Sequence, residues 1–377
     1  MKLGSRRMFG TWVVGLLLGV APARGQEQKP LMAEEVFKNI QALKGIPVTE
    51  FMATMGFFSA ALGYNCTNCH GDESLGNWEK YAADPPIKRT ARRMILMVNG
   101  INKDNFGGAH VVTCYSCHRG AGAPKAVPSL AEQYGEPPPE DPNEIETVRQ
   151  TSTTPSADQI LDRYIQAAGG AERLTGLTSF VGKGTYEGFD TYHAKVPVEV
   201  FAKASGQRTM IAHTQNGDSV TAFDGRAGWT AGPDKPLPVL ALPAGGDLDG
   251  VKLDADLSFP ARIKQALTNW RAGFPGATID DRDVQVVQGT SAGGSRVKLF
   301  FDKESGLLVR LVRYTSTVVG VIPTEIDYSD YREVSGVKMP FHWIITWTGG
   351  RSNIVLSEVQ TNVAIDPAKF GRPAPPR

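Results

Sequence analysis

At 377 residues the chain is long enough for two domains, or for one large domain with an appendage. Its 40 Lys and Arg against 39 Asp and Glu leave a net charge of +1, which offers no basic field for nucleic acid and no acidic tail. With 41 Gly, 25 Pro and 8% aromatic residues, the composition suits turns and a β-rich portion better than a helical bundle.

Residues 1–25 read as an export signal. Lys2, Arg6 and Arg7 form a positive start, Met8 to Val20 an apolar run, and Ala21-Pro22-Ala23 a small-residue cleavage site. The run is short for a membrane span, and no Cys beside the cleavage site invites a lipid anchor. Ser5-Arg6-Arg7-Met8-Phe9 resembles a twin-arginine signal, but the cofactor read below is attached to unfolded chain outside the cytoplasm, which favours general secretion. The expected location is periplasmic. Association with a membrane face, through an uncleaved signal or a membrane complex, is the alternative.

Residues 26–125 carry one grammar twice. Val36, Ile40 and Leu43 recur at helical spacing up to Gly45, and a helix from about Glu50 to Leu62 bears the stripe Met52, Met55, Phe58 and Leu62. Gly63 ends it shortly before Cys66-Thr67-Asn68-Cys69-His70. Pro85-Pro86 then opens a helix from about Ile87 to Asn102, with Ile87, Ala91, Met94, Val98 and Ile101 on one face. A turn at Gly107-Gly108 leads to Cys114-Tyr115-Ser116-Cys117-His118, so the region reads as an internal duplication.

Both Cys-His segments are C-x-x-C-H, the attachment pattern of c-type haem, in which two thiols bond the haem vinyl groups and the adjacent imidazole reaches iron. Together they consume all four cysteines. Paired zinc knuckles want C-x-x-C pairs roughly 15–20 residues apart, and Cys69 and Cys114 lie much further apart. A thioredoxin-type pair lacks its βαβ context, and a chain of this length needs no disulfide staple. Two covalent haems c are therefore expected on Cys66, Cys69, His70, Cys114, Cys117 and His118.

His70 and His118 supply one axial ligand each, and Met55 and Met94 are the expected partners, with Met52 and Met97 as neighbouring substitutes. A thioether ligand raises the reduction potential relative to a second histidine. Met on an apolar helix face is otherwise core filler. His110 competes as a ligand of the second iron; its other reading is a hydrogen bond to propionate or backbone. Arg89, Arg92 and Arg93 either pair with propionates or form a solvated face, and Trp78 packs on a porphyrin edge or fills the core. His193, His213 and His342 read as structural. Nothing marks an open iron or a catalytic acid–base pair, so electron transfer is expected rather than catalysis. A dihaem oxidoreductase with an open iron is the rival.

Residues 126–155, with Pro128, Pro137, Pro138, Pro139, Pro142 and Pro155, read as a semi-rigid linker. From 156 to 377 the pattern is a capped helix (Ser156; Ile160, Leu161, Tyr164, Ile165, Ala168) followed by period-two segments. Strands are expected at 180–186, 196–203, 208–214, 219–223, 228–231, 284–288, 295–301, 307–314, 323–331, 338–347 and 352–360, with one helix at 257–270. The expected class is α+β: a mainly helical front part, then a curved, half-barrel antiparallel sheet with helices on one side.

Three segments also carry a resemblance. Leu62 to His70, Ala91-Arg92-Arg93-Met94-Ile95-Leu96-Met97 and Val112 to Gly120 resemble the cytochrome subunit of purple-bacterial photosynthetic reaction centres, over roughly Leu31 to Pro124. The resemblance implies single-electron transfer between redox protein partners. It also implies methionine ligands on the helix preceding each attachment site, at the positions of Met55 and Met94. It departs in haem number, four in that family against two here, and in the offset of His110 from the family's histidine. Tyr328 to Phe341, with Asn362 to Phe370 closing the chain, is similar to half-barrels of the outer-membrane lipoprotein carrier type. That resemblance implies an apolar ligand, a lipoprotein or a docking surface for the sheet, and makes a lipid or lipoprotein carrier with redox haems a second rival.

Overall fold

The computed structural model describes residues 29–136, 141, 143–144, 155–233 and 235–376. The signal expected at 1–25 lies outside this set, as do residues 137–140, 142 and 145–154 of the linker expected at 126–155. The front part holds α1 (Ala33–Val36), α2 (Val48–Leu62), α3 (Cys66–His70), α4 (Pro86–Phe106), α5 (Cys114–His118) and α6 (Leu130–Tyr134). Among the described residues no helix is long and apolar enough to cross a membrane.

The helix expected through Val36, Ile40 and Leu43 stops at Val36, because Phe37 turns extended and Asn39 takes a left-handed φ of 62°. The remaining apolar residues serve a loop instead, closed by the Glu34 carboxylate accepting from Gly45 N–H at 3.0 Å. Helix α2 ends at Gly63, whose φ of 64° is the left-handed geometry that glycine adopts freely.

The expected stripes on α2 and α4 are each rotated. Thr54, Phe57 and Ala61 are the buried residues of α2 below Val48, and Ile95, Val98 and Asn102 those of α4. Met55 is half-buried beside its stripe, while Met94 is 41% and Ile87 36% exposed. Placing Met94 on the face that protein buries is thus corrected. The reason is a polar residue that apolar spacing passes over. Buried Asn102 donates from Nδ2 to Val112 O at 2.7 Å and accepts from Val112 N–H at 2.9 Å, fixing which face of α4 turns inward.

After α7 (Ala157–Ala167) and α8 (Ala171–Thr175) come β1 (Ser179–Gly188), β2 (Val196–Lys203), β3 (Gln207–Thr214), β4 (Gly217–Phe223), β5 (Gly228–Ala231) and β6 (Val239–Ala241). Helices α9 (Gly246–Leu257) and α10 (Ile263–Ala266) follow. The chain then runs through β7 (Thr268–Ile279), β8 (Arg282–Thr290), β9 (Arg296–Asp302), β10 (Leu308–Thr317), β11 (Gly320–Val334), β12 (Val337–Trp347) and β13 (Gly350–Thr361).

These strands form one curved 13-stranded sheet in the order β6-β5-β4-β3-β2-β1-β13-β12-β11-β10-β9-β8-β7, antiparallel throughout. Strand pairs build outward from β1 to one edge, α9 and α10 carry the chain across, and the second half builds back to β13 beside β1. Leu161 and Tyr164 of α7, Leu253 of α9 and Ile263 of α10 pack with Phe180, Val200, Leu299 and Leu356 in the main core. The α+β class stands. The single helix expected at 257–270 is corrected to α9, which ends there, the short α10 and the start of β7.

The front part and the sheet meet at the β10–β11 hairpin. Val319 and Ile322 are buried with Phe57 and Ala61 of α2 and Ile95 of α4, and Val318 N–H donates to Glu50 Oε1 at 2.9 Å. Gly320 has φ 142°, and a Cβ there would sit 2.9 Å from the Thr113 methyl carbon, so only glycine allows this approach to the residue before Cys114. Asn143 and Glu144 of the linker also lie on the sheet. Tyr314 OH donates to Asn143 O at 2.9 Å, Asn143 Nδ2 to Glu325 at 2.6 Å, and Lys298 to Glu144 O.

Candidate haem-attachment site

Each C-x-x-C-H segment folds as a five-residue helix with a reciprocal cap. In α3 the Asn65 side chain accepts from Asn68 N–H at 3.1 Å while Asn68 Oδ1 accepts from Asn65 N–H at 2.8 Å. In α5 Thr113 and Ser116 make the same exchange, at 3.4 and 3.0 Å. Helical geometry places positions i, i+3 and i+4 on one face. Cys66, Cys69 and His70 therefore share a face of α3, and Cys114, Cys117 and His118 a face of α5.

All four thiols are free, and burial pushes the pKa values of Cys69 and Cys114 up, keeping both in the thiol form. His70 Nδ1 lies 3.3 Å from Tyr81 O, and His118 Nδ1 lies 3.0 Å from Ala121 O. A carbonyl can only accept, so Nδ1 carries a proton in each ring, and in the neutral tautomer this leaves the lone pair on Nε2. This is the orientation that a metal-ligating imidazole takes. Burial, with Lys88 nearby, lowers the His70 pKa, favouring the neutral ring that ligation requires. The donor set fits c-type haem: two thiols, one face, and an imidazole with Nε2 free. Among the described residues no three His, Cys, Asp or Glu side chains converge to hold a bare metal ion.

The two units have different surroundings. The His70 ring tilts against Tyr81 at 4.7 Å; Tyr81 stacks on Trp78 at 5.2 Å, Trp78 lies 6.3 Å from Phe37, and Phe37 stacks on Phe51 at 5.0 Å. Lys88 also donates to Tyr81 O at 2.7 Å, so one carbonyl serves both the lysine and the imidazole. Cys114 instead packs in the cluster containing Val318, Val319 and Ile322 of the sheet hairpin.

Helix α4 touches α3 and α5, and α2 lies against α5, with Gly120 N–H donating to Ala61 O at 2.9 Å. Met55 sits in the cluster with Phe57 and Cys114, while Met94, Leu96 and Met97 are exposed on α4. Arg92 and Arg89 both pair with Asp84, Arg93 donates to Thr90, and His110 is exposed. His342 bonds Ser329 and Asn353, and His213 lies between Glu199 and Asp218, in keeping with structural roles. Sequence reasoning missed the Tyr81 and Ala121 carbonyls, Asn102 and the hairpin tip. Backbone acceptors and contacts from more than 200 residues away leave no local signal, although a polar Asn102 on an apolar helix face was a visible hint.

Residues 18–167 match the family model described as the photosynthetic reaction centre cytochrome C subunit. The photosynthetic reaction center cytochrome c subunit of Thermochromatium tepidum is 39% identical over 99 residues, 25% of this chain and 23% of that protein. The corresponding subunit of Rubrivivax gelatinosus is 34% identical over 99 residues, 25% of each chain. This chain therefore aligns with about a quarter of the length of these relatives. The sheet region is similar in structure to a LolA superfamily protein from Nitrosomonas europaea, at 16% identity and TM-score 0.39, over 58% of this chain and 99% of that one.

Proposed function

We propose that this chain is a periplasmic dihaem c-type cytochrome that carries single electrons between redox protein partners, as a reaction-centre-type cytochrome does. The match over residues 18–167 supports a cytochrome role in electron transfer, and the cytochrome c family implies covalent haem. The observation that carries the dihaem reading is the pair of capped helices. Each presents two thiols and an imidazole on one face, with Nδ1 tied to a carbonyl.

The bound haem supplies an iron that exchanges one electron between ferric and ferrous states. Cys66 with Cys69, and Cys114 with Cys117, hold the two groups covalently, and His70 and His118 present Nε2. The Nδ1–H bonds fix both rings in position. Met55 and Met94 are the proposed sixth ligands, and their thioethers would favour the ferrous state of a bound haem. The proposed organisation is a haem part at 26–125, a linker at 126–155 and a sheet part at 156–377.

Pyridine haemochrome analysis should give two haems per chain, and the oxidised protein a fully low-spin spectrum with a methionine-to-iron charge-transfer band. A high-spin fraction that binds cyanide or CO would sink the reading in favour of an oxidoreductase with an open iron. Met94→His should keep both haems and lower one redox midpoint; an unmoved titration removes Met94 as a ligand.

A second reading concerns the sheet alone. A cavity beneath it is lined by Phe180, Leu257, Ile326 and Trp343, favouring a bound apolar ligand in addition to any docking role.

A further inference from the structure

The cavity under the sheet has a volume of about 70 Å³ and lies where β3, β11 and β12 face α7 and α9. At roughly 10–15 Å³ per water-sized occupant, it holds on the order of five waters, or a head group with the first carbons of a chain. Most of its wall is apolar or aromatic, including Tyr164, Phe180, Leu308, Tyr328 and Trp343.

Two wall atoms are out of place in such a lining. Trp343 Nε1 and Arg208 Nε are buried N–H donors without a hydrogen-bond partner. Trp343 is only 9% exposed, so its indole has no solvent to turn to. The Arg208 guanidinium lies over the Trp343 ring at 5.6 Å, and its Nε is the buried atom that lacks a partner. A buried donor left without an acceptor is costly, more so on a charged group, so an occupant whose acceptors can draw in these two side chains is favoured. The other charged groups in the wall are Asp254 and Lys338. Two cations against one carboxylate select an anion over a cation.

We propose that this cavity binds an amphipathic carboxylate, its head accepting from Arg208 and Trp343 and its apolar chain lying along Phe180, Leu308 and Ile326. The proposal rests on the ligand-binding reading of the sheet and adds the charge and orientation of the ligand. An acid with a short chain fits the volume. Arg208 supplies the charge, the indole N–H supplies direction, and the guanidinium stacked on the ring is held in place before the ligand arrives.

The test is calorimetry on the full haem-loaded chain, with sodium octanoate and 1-octanol as paired probes of one chain length. Octanoate should bind with 1:1 saturation and at least tenfold more tightly than octanol. Trp343→Phe, which keeps the ring and removes the donor, should weaken octanoate roughly tenfold and leave octanol unchanged. Arg208→Gln should abolish the preference for the acid, while Arg208→Lys retains part of it. If Arg208→Gln fails to fold, Trp343→Phe decides alone. Equal binding of the two probes overturns the carboxylate inference and leaves the ligand-binding reading standing. No binding of either means the cavity holds water, and both fall.

Discussion

The two attachment units share one sequence grammar and are held by different means. The first leans on its own neighbourhood, where an aromatic row from Phe51 through Phe37, Trp78 and Tyr81 ends on the His70 ring, and Tyr81 O fixes its Nδ1. The second leans on the other end of the chain, where Gly320 meets Thr113 and Val319 and Ile322 close the cluster around Cys114. A duplicated motif does not bring a duplicated environment. The first unit reaches the shared hairpin cluster only through Phe37 and Phe51 at the far end of its aromatic row, whereas Cys114 of the second packs against that cluster itself.

Breaking the hairpin contact tests this contrast most severely. Ile322→Ala should cost about 2–5 kcal/mol of stability, as expected for a large-to-small change in a closed cluster. In a redox titration one midpoint should move while the other stays; movement of both by equal amounts would show that the hairpin supports the front part as a whole.

The reciprocal experiment is Phe37→Ala. Phe37 is half-buried between two aromatic partners, so the expected loss is smaller, about 1–3 kcal/mol. It should disturb the midpoint that Ile322→Ala leaves alone.

The mildest pair sharpens the comparison from within the motifs. Asn65→Ala and Thr113→Val each remove a cap worth about 0.5–2 kcal/mol, and valine keeps the methyl group that faces Gly320. Thermal melts should show the larger loss for Asn65, because Thr113 is also clamped by Gly320 and keeps its place when its hydroxyl is gone. Equal losses would mean that the hairpin adds nothing to the second cap.

Much of this was legible in the residues. The two Cys-His segments stood out by their spacing, and most strands followed from alternation of side chains. Strand β7 did not: its register shifts between Thr268 and Arg271 and between Gly273 and Ala277, and Asn269 takes a left-handed φ of 54°. Each bulge resets the period of two, and what remained looked helical. Helix α9 was hidden for the converse reason, since Val251, Leu253, Ala255 and Leu257 alternate as a strand would. Burial of α4 was misjudged at Met94 because Asn102, a polar residue with a backbone partner, decides the inward face. The sheet's hold on the second unit was illegible in principle, since it joins Thr113 to Gly320 across the whole intervening chain.

One feature of the sheet bears on how the protein comes into being. Its middle seam joins β1 to β13, with Phe180 opposite Thr361, so its first and last strands are neighbours. Bringing such distant segments together carries the greatest loop-closure cost in the sheet, and that pairing forms late. A chain emerging from its N-terminus presents all four cysteines well before the seam can close. The thiols are thus open to chemistry during a window set by synthesis of the sheet, and hairpin docking, which depends on the last-made half, follows as the closing step.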